Sequence, residues 1–421
     1  MLLDDLKARG LVTQTTNEGR LRNHLTGAMR TLYCGFDPTA DSLHIGNLVP
    51  LLALRRFQIE GHRPILLLGG ATGLIGDPSF RDDERGLNDE TMVGGWVEKI
   101  RRQVEPFLDF KGDSGAIMAN NLDWTRGTDV ISFLRDVGKH FSVNAMIQRD
   151  SVRSRLQRDD EGISYTEFSY MLLQANDYLE LAQRYGCSLQ IGGNDQWGNI
   201  VSGIDLVRRR LGREAHALTV PLVTRFDGAK FGKTAAGAVW LDPAKTSPYA
   251  FYQFWLNVAD ADAVSYLRLF TLLDLATIDD LAQAAARAPE RREAQTKLAE
   301  QVTELVHGAD GLSAARRITD CLFGGDPNRL EQGDLRQLEL GGIESAAIPE
   351  RRLGLLAALV ASGLAPSRGA ARKLVAAKGV SVNGQVRDDP AHELDFADAL
   401  YGRYYLLRRG KKNWRMLTGP D

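Results

Sequence analysis

The stretch Thr31–Asn47, TLYCGFDPTADSLHIGN, decides the fold. It begins as an apolar run, turns at Gly, Asp and Pro, and leads into residues 48–57, LVPLLALRRF, which have a helical pattern. A buried strand followed by a turn and a helix is the repeating unit of a doubly wound sheet. The first amides of that helix lack intrahelical partners and favour a negatively charged ligand.

Two further segments repeat this pattern. Residues 64–70, PILLLGG, and residues 188–211, SLQIGGNDQWGNIVSGIDLVRRRL, both place a glycine turn after a short apolar run. We therefore predict an α/β fold with a Rossmann-like doubly wound parallel sheet in residues 1–246. Ligands of such sheets bind at the carboxyl ends of the strands.

The remaining sequence predicts smaller domains, since a chain of 421 residues favours about three domains. An Ala-, Leu- and Arg-rich pattern without strands predicts an α-helical domain at 247–323. Gly, Pro and polar residues predict a linker at 324–350. Helices, a strand–turn–strand segment and a final strand at 404–417 predict a small α+β domain at 351–421.

Charge is distributed unevenly along the chain. Residues 351–421 contain thirteen Lys and Arg against six Asp and Glu, a net charge of +7, which leaves −9 for residues 1–350. This asymmetry predicts an acidic partner for the C-terminal domain.

The sequence favours a cytoplasmic protein. Its start, MLLDDLKARGLV, lacks the pattern of a signal peptide, and no apolar stretch has the length of a membrane span. Cys34, Cys187 and Cys321 are scattered, which argues against a disulfide framework or a metal site.

The first candidate motif is the turn after the opening strand. His44 and Asn47 lie three residues apart at a helix start and share a face, and the Thr39 hydroxyl lies just upstream. Together they suit a triphosphate. The alternative is a helix cap at Asp41 or Ser42 beside a surface histidine.

The second candidate motif is the glycine-rich stretch 225–238, RFDGAKFGKTAAGA. Lys230 and Lys233 can bring point charges onto polyphosphate oxygens from such a loop. A solvated basic loop is the alternative, but the order of the two motifs across an α/β sheet favours phosphate binding.

Two further motifs suit substrate binding. Tyr170, Gln174 and Asp177 recur at i, i+4 and i+7 and share one helix face, which is either a binding surface or the wet side of an amphipathic helix. Residues 192–193 are glycines that allow close backbone approach, and Asp195 suits a ribose hydroxyl pair.

Together the motifs resemble the HIGH and KMSKS signatures of class I aminoacyl-tRNA synthetases. Five longer blocks extend the resemblance to bacterial-type tyrosyl-tRNA synthetases over essentially the whole chain: YCGFDPTADSLHIGN, GGATGLIGDPS, YTEFSYMLLQANDYL, LQIGGNDQWGNI and KFGKT. One departure is Asn47, which stands where the first signature has its second histidine. The C-terminal segment LAPSRGAARKLVAAKGVSVNGQV resembles a small RNA-binding domain that also occurs in a ribosomal protein.

The resemblance implies that ATP activates tyrosine to tyrosyl-adenylate and that the tyrosyl group passes to the 3′ end of tRNA(Tyr). It implies ATP with Mg²⁺ as a substrate complex, no permanently bound cofactor, no metal site and a homodimer. The alternatives are a tryptophanyl-type synthetase and a catalytically idle RNA-binding homologue.

The resemblance also implies residue roles. Asp177 and Tyr33 would bind the tyrosine hydroxyl, while Tyr170, Gln174 and Asp77 would bind its ammonium group. The implied tyrosine-binding residues are Tyr33, Asp77, Tyr170, Gln174, Asp177 and Gln196. The implied nucleotide-binding residues are Cys34, Gly35, Asp37, His44, Asn47, Gly192, Gly193, Asp195 and Lys233. The implied catalytic residues are Thr39, His44, Lys230, Lys233, Thr234, Arg81 and Arg85. The implied tRNA-binding residues are Arg368, Arg372, Lys373, Arg408, Lys411 and Lys412.

Overall fold

The computed structural model divides the chain into two compact units. The first unit comprises Met1–Val239 and Ala261–Arg287, and the second comprises Trp240–Asp260 and Ala288–Asp421. The structure describes residues 1–77, 88–149, 152–153, 156, 162–228, 231–234, 237–410 and 412–420, and for Lys233 and Thr234 it describes the backbone.

The first unit is built on a six-stranded sheet with the order β1-β6-β5-β2-β3-β4. Its strands are β1 (Gln14–Thr15), β2 (Thr31–Phe36), β3 (Arg63–Leu68), β4 (Ile117–Asn120), β5 (Cys187–Gly193) and β6 (His216–Val220), followed by the hairpin β7 (Lys233–Thr234) and β8 (Gly237–Ala238). Strands β2 to β6 run parallel, and β1 joins β6 antiparallel. The predicted α/β class with a parallel sheet is confirmed.

The helices of this unit follow the strands and cover the sheet. They are α1 (Leu2–Ala8), α2 (Glu18–Gly27), α3 (Leu48–Ile59), α4 (Thr72–Ile75), α5 (Glu90–Val104), α6 (Leu122–Thr125), α7 (Val130–Asp136), α8 (Val143–Ile147), α9 (Tyr165–Tyr185), α10 (Trp197–Leu211), α12 (Asp260–Phe270) and α13 (Leu275–Arg287). Helix α9 illustrates the local signals, because the Ser164 hydroxyl caps its first turn and Gly186 ends it at φ 64°.

The order of the strands creates a crevice. From β2 the chain proceeds to β3 and β4 on one side and then returns to β5 and β6 on the other side. The connections after β2 and β5 therefore leave in opposite directions, and ligands of open α/β sheets bind at this switch point. The turns after Phe36 and Gly193 lie at these two strand ends.

The second unit contains helices and a five-stranded sheet with the order β12-β11-β14-β15-β9. Its helices are α11 (Pro248–Leu256), α14 (Glu293–Phe323), α15 (Gln332–Gln337), α16 (Leu355–Ala361) and α17 (Arg368–Ala376). Its strands are β9 (Ser345–Ala347), β10 (Arg352–Gly354), β11 (Val380–Val382), β12 (Gln385–Val386), β13 (Glu393–Asp395), β14 (Tyr404–Arg409) and β15 (Asn413–Thr418).

Both faces of this C-terminal sheet are covered. Tyr405 and Leu407 pack in a cluster with residues of α16 and α17. Leu406 and Trp414 face the other way, and their cluster includes residues of α11, α14 and α15. The Trp414 indole N–H also donates to the Leu322 carbonyl at 2.9 Å.

Three details differ from the sequence predictions. The stretch 404–417, predicted as one strand, is a hairpin that turns at Gly410, whose φ is 64°. The stretch 324–350, predicted as a linker, supplies α15 and β9 and buries three leucines in the cluster of Trp414. Residues 261–287, predicted within a separate helical domain, belong to the first compact unit.

Among the described residues, no helix is long and apolar enough to cross a membrane. The same described part of the chain holds no cluster of three or more His, Cys, Asp or Glu that is placed to bind a metal ion.

Candidate active site

The first signature forms a tight turn at the start of α3. His44 caps a short 3-10 helix, Ile45–Asn47. Its Nδ1 accepts the Gly46 N–H at 3.0 Å, and Asn47 Oδ1 accepts the His44 N–H at 3.1 Å. A Cβ on Gly46 would lie 2.8 Å from His44 Cε1, so a larger residue would displace the imidazole. Asn47 thus serves the turn itself.

The residues considered as alternative caps are engaged elsewhere. Asp41 accepts a hydrogen bond from Lys99 at 2.8 Å, and the Ser42 hydroxyl donates to the Leu43 carbonyl at 2.8 Å. Thr39 is exposed in the loop before the turn. The loop therefore leaves the capping of the 3-10 helix to His44.

The cap also sets the chemistry of His44. Because Nδ1 accepts an N–H, the neutral ring carries its proton on Nε2. Solvent reaches the ring, yet desolvation by the surrounding protein lowers the pKa of His44. The residue thus offers a phosphate oxygen a neutral N–H donor rather than a full positive charge.

Backbone hydrogen bonds join the two signatures. The Ile45 N–H donates to the Val239 carbonyl at 3.0 Å, and the Val239 N–H donates to the Gly232 carbonyl at 3.0 Å. Gly232 has a φ of 77°, and a Cβ there would lie 3.0 Å from Ile45 Cγ1. Since Lys233 follows Gly232 directly and pairs with Ala238, its backbone is fixed beside the first signature.

Four predicted residues lie outside the described part of the chain. They are Arg81, Arg85, Lys230 and Lys411. The structure gives backbone positions for Lys233 and Thr234, which form β7.

Asp177 on α9 is a buried carboxylate of the site. Its Oδ1 accepts the Trp124 indole N–H at 2.9 Å, and its Oδ2 accepts the Asn121 amide at 3.0 Å. Burial raises the pKa of Asp177 to about 7, although both hydrogen bonds act in the opposite direction. Asp177 also raises the pKa of the buried Tyr33 hydroxyl, after the larger effect of desolvation.

Two buried oxygens of the site lack a hydrogen-bond partner in the described part of the chain. Within the described residues, Tyr33 Oη and Gln174 Oε1 are shielded from solvent and make no hydrogen bond. Buried polar atoms are normally paired, because an unpaired one costs about 1–3 kcal/mol. A ligand that donates to Gln174 and pairs with Tyr33 would remove this cost.

Tyr170 and Asp37 are bound to each other. The Tyr170 hydroxyl donates to Asp37 Oδ2 at 2.6 Å, and the Thr72 hydroxyl donates to Asp37 Oδ1 at 2.6 Å. A Cβ on Gly69 would lie 2.0 Å from Asp37 Oδ1, so the backbone closes tightly on this carboxylate. Asp37, predicted to bind the nucleotide, therefore orients Tyr170 in this structure.

A second polar group lies at the end of β5. The Gln196 amide donates to Asp77 Oδ2 at 2.7 Å and to Asp195 Oδ2 at 3.2 Å. Desolvation raises the pKa of Asp195. Added Cβ atoms would lie 2.3 Å from Asp195 Oδ1 at Gly193 and 3.1 Å from Ile200 Cδ1 at Gly192.

Two residues of β2 suit a ligand that lies over the strand end. Gly35 is exposed, and a Cβ on it would meet no atom within 4 Å. Burial raises the pKa of the Cys34 thiol to about 12, so the thiol stays protonated at neutral pH. Cys34 is therefore a buried, uncharged side chain of β2.

Sequence reasoning missed Asn121 and Trp124. They follow β4 in the segment 120–124, NNLDW, where a strand ends in two amides and an indole. Asn121 also donates to Thr72 at 3.0 Å and accepts the Ala71 N–H at 2.7 Å. Polar residues at the carboxyl end of a neighbouring strand were the signal that could have identified them.

The basic residues of the second unit occupy two faces of its sheet. Arg368, Arg372 and Lys373 are exposed on α17. Arg409 donates to the Leu364 carbonyl at 3.1 Å, next to that helix. Arg408 lies on the opposite face, with its guanidinium carbon 5.0 Å from the centre of the Trp414 ring. The structure therefore separates Arg408 from the α17 cluster; Lys412 is exposed in the turn before β15.

Comparisons with known proteins agree with this geometry. Residues 27–324 match the family described as tRNA synthetases class I (W and Y), and residues 334–417 match the tyrosine–tRNA ligase SYY-like C-terminal domain. The chain is 54% identical to the tyrosine–tRNA ligase of Dechloromonas aromatica, over 99% of this chain and 98% of that protein. It is 56% identical to that of Citrobacter koseri, over 99% and 97%.

Solved structures are also similar. A C-terminally truncated mitochondrial tyrosyl-tRNA synthetase of Aspergillus nidulans matches with a TM-score of 0.69 and 29% identity, over 76% of this chain and 94% of that chain. A tryptophanyl-tRNA synthetase of Encephalitozoon cuniculi matches with a TM-score of 0.53 and 14% identity, over 79% and 89%, which shows a shared fold alone.

The surroundings of Asp177 lead to a pH prediction. Replacing Trp124 by Phe removes a hydrogen bond that lowers the pKa of Asp177, so the pKa should rise above about 7. Tyrosine binding should weaken as the pH falls from roughly 8 to roughly 6 in the parent protein, with a midpoint at higher pH in Trp124→Phe. Phenylalanine binding should not weaken as the pH falls, since phenylalanine has no hydroxyl for the carboxylate to bind.

Calorimetric titration across this pH range measures the effect. Trp414→Phe is the matched control, because it removes an equally buried indole hydrogen bond in the second unit. A tyrosine affinity that does not change with pH in either protein would contradict the role of Asp177.

Proposed function

The chain belongs to the class I tyrosyl-tRNA synthetases, and from this premise we propose how its residues divide the reaction. It is an aminoacyl-tRNA ligase that joins tyrosine to tRNA. The relatives near 55% identity favour tyrosine over the tryptophanyl alternative. The observation that supports the pocket assignment is the buried Asp177 beside the unpaired hydroxyl of Tyr33.

We assign the substrate hydroxyl to Asp177 and Tyr33. The carboxylate accepts the phenolic proton, and the Tyr33 hydroxyl bonds the same oxygen of the substrate. Gln174 Oε1 accepts from the ammonium group, beside the Tyr170 hydroxyl. Asp77, which accepts a hydrogen bond from the Gln196 amide, completes that ammonium site. Phenylalanine would leave the Tyr33 hydroxyl buried without a partner and would offer Asp177 no phenolic proton, which supports selectivity for tyrosine.

In the first step, a carboxylate oxygen of tyrosine bonds to the α-phosphorus of ATP, and the bond to the leaving pyrophosphate breaks. Holding the reactants in line and neutralising the charge of the leaving group are the two tasks of the protein. We assign the second task to the Nε2–H of His44, the Thr39 hydroxyl and the ammonium groups of Lys230 and Lys233. Arg81 and Arg85 complete this set as proposed contacts of the pyrophosphate.

In the second step, a hydroxyl of the terminal ribose of tRNA attacks the acyl carbon, and AMP leaves. ATP enters as its Mg²⁺ complex, which supplies further positive charge to the phosphates. No permanently bound cofactor is part of this scheme. We propose a cytoplasmic location, which is consistent with a reaction that uses ATP and tRNA.

Replacing Lys233 by Ala tests the phosphate assignment. The rate of tyrosyl-adenylate formation should fall by roughly 10²-fold while tyrosine affinity stays within about twofold, because the charge acts on the transition state. Single-turnover kinetics and tyrosine-dependent pyrophosphate exchange provide the two readouts. Lys139→Ala, at an exposed lysine of the same unit, is the control. Lack of any exchange in the parent protein would instead support the idle homologue.

We propose that tRNA binds the basic face formed by α17 and the end of β14. Arg368, Arg372 and Lys373 are exposed there, and Arg409 lies beside them. Exposed cations on one face bind phosphates through the release of counterions, and binding then weakens with salt. Lys412 adds to this proposal from the turn before β15, and Lys411 is proposed with it from the sequence alone.

Single substitutions test this face better than truncation, since removing β14 would uncover the cluster of α14. In Arg372→Gln the log–log salt dependence of tRNA binding should flatten by about one unit, with pyrophosphate exchange unchanged. Arg408→Gln is the matched control, because Arg408 stacks on Trp414. Flattening in the Arg408 variant alone would place the RNA on the opposite face.

We further propose a homodimer that joins the outer faces of α7 and α8. Phe133 and Met146 face the protein core. The opposite sides expose large apolar residues: Val130, Ile131, Leu134, Val143, Ile147 and Tyr165, the last at the start of α9. Monomers rarely leave so many large apolar side chains of neighbouring helices open to water. A second copy of the chain is the occupant that matches the dimer typical of the family.

A charge in this face should separate the subunits. Ile131 is 67% exposed, so glutamate fits there without disturbing the monomer. Ile131→Glu should sediment as a monomer at micromolar concentration while the parent sediments as a dimer. The control is Ile59→Glu, at an isoleucine 57% exposed on another surface, which should leave the dimer intact. A parent protein that sediments as a monomer would refute the interface.

A further inference from the structure

We propose that Tyr266 on α12 is a positioning residue for adenylate formation, because it anchors the loop that carries Lys233. The residue lies outside both signatures and is nearly fully buried, with 2% of its surface exposed. This inference rests on the role proposed above for Lys233.

One face of α12 holds the start of the loop. The Tyr266 hydroxyl donates to the Thr224 carbonyl at 3.3 Å. Four residues earlier on the same helix, Asp262 Oδ1 accepts the Phe226 N–H at 2.9 Å. Residues at i and i+4 share a helix face, so the two bonds hold the loop from one side.

The same face holds the loop again just before Lys233. The centre of the Phe231 ring lies 4.9 Å from that of Tyr266, edge to face at 61°, and 5.1 Å from that of Phe270, stacked at 25°. Both partner rings are buried. Such aromatic pairs stabilise a contact beyond the effect of the area that they bury.

A short path leads from this anchor to the phosphate site. Phe231 precedes Gly232, whose carbonyl accepts the Val239 N–H and whose Cα lies against Ile45. Lys233 comes next in the chain. Its backbone is therefore held between α12, through Phe231, and the first signature, through Gly232.

Helix α12 also holds the first signature through α3. The buried guanidinium of Arg56, on α3, donates to the Arg268 carbonyl at 3.5 Å and to the Thr271 carbonyl. Thus one helix contacts the element that begins after His44 and the loop that contains Lys233. We infer that α12 sets the spacing of the two signatures, with Tyr266 as its main contact on the loop side.

A purely structural role for Tyr266 makes different predictions from a positioning role. A core residue affects unfolding, whereas a positioning residue affects the transition state through Lys233. The two roles separate in a double-mutant cycle, because a residue that acts through Lys233 has little effect once that lysine is gone.

The experiment compares Tyr266→Leu, Lys233→Ala and the double variant in the full-length chain. Tyr266→Leu should slow single-turnover adenylate formation roughly tenfold and leave the tyrosine dissociation constant within about twofold. In the Lys233→Ala background the same change should slow the reaction by less than about twofold. Tyr266→Phe keeps the ring contact with Phe231 and should recover most of the rate.

Tyr405→Leu is the matched control for the loss of a buried tyrosine. The Tyr405 hydroxyl donates to the Asp395 carbonyl at 2.6 Å in the second unit, and this variant should form adenylate at the parent rate. If Tyr266→Leu does not fold, Phe231→Leu removes the same ring contact from the loop side and is judged by the same criteria.

Each outcome has a distinct meaning. If Lys233→Ala forms adenylate slowly and Tyr266→Leu forms it at the parent rate, the positioning role of Tyr266 is wrong and the role proposed for Lys233 stands. Independent, multiplicative effects of the two substitutions would also overturn it. A Lys233→Ala enzyme at the parent rate would overturn the role proposed for Lys233, and with it this inference.

Discussion

The pairing of β2 with β5 is the constraint on which the active site depends. These two strands are neighbours in space although about 150 residues separate them in sequence. Their adjacency brings the turn after Phe36 to the turn after Gly193, and it opens a crevice between connections that leave in opposite directions. The glycines at both strand ends keep the crevice free of side chains, because Gly35 has open space above it and Gly193 leaves room for the Asp195 carboxylate.

Within this crevice, selectivity requires groups that destabilise the protein until a ligand binds. Asp177 is buried deeply enough for its pKa to reach about 7, and two donors, Trp124 and Asn121, orient it. Tyr33 and Gln174 retain unpaired buried oxygens in the described structure. In the proposed tyrosine site, a substrate that pairs these oxygens releases a free energy that a substrate without a hydroxyl cannot release. The stability of the parallel sheet offsets the unfavourable free energy of these unpaired groups.

The sequence predicted the parts of this arrangement that depend on local pattern. Apolar runs followed by glycine turns gave the parallel strands, and the i, i+4, i+7 spacing gave the shared face of Tyr170, Gln174 and Asp177. Asn121 and Trp124 were not predicted because their role arises from the contact of the segment after β4 with Asp177 on α9, which lies more than 50 residues further along the chain. The hydrogen bond from the His44 N–H to Asn47 and the bond from Tyr170 to Asp37 were also not predicted. A hydrogen bond depends on side-chain direction as well as on residue type.

The C-terminal sheet shows how strand alternation can override an interpretation based on composition. Gly and Pro made residues 324–350 resemble a linker, and a basic tail made 351–421 resemble an appended domain. In the structure, alternate residues of β14 face opposite directions: Leu406 packs in the cluster that includes α14, and Leu407 packs with α16 and α17. The strand that ends in Arg409 at the basic face therefore also completes the core beneath α14. The basic face and the helical core share one sheet, so the packing that stabilises the second unit also fixes the position of the exposed cations on that face.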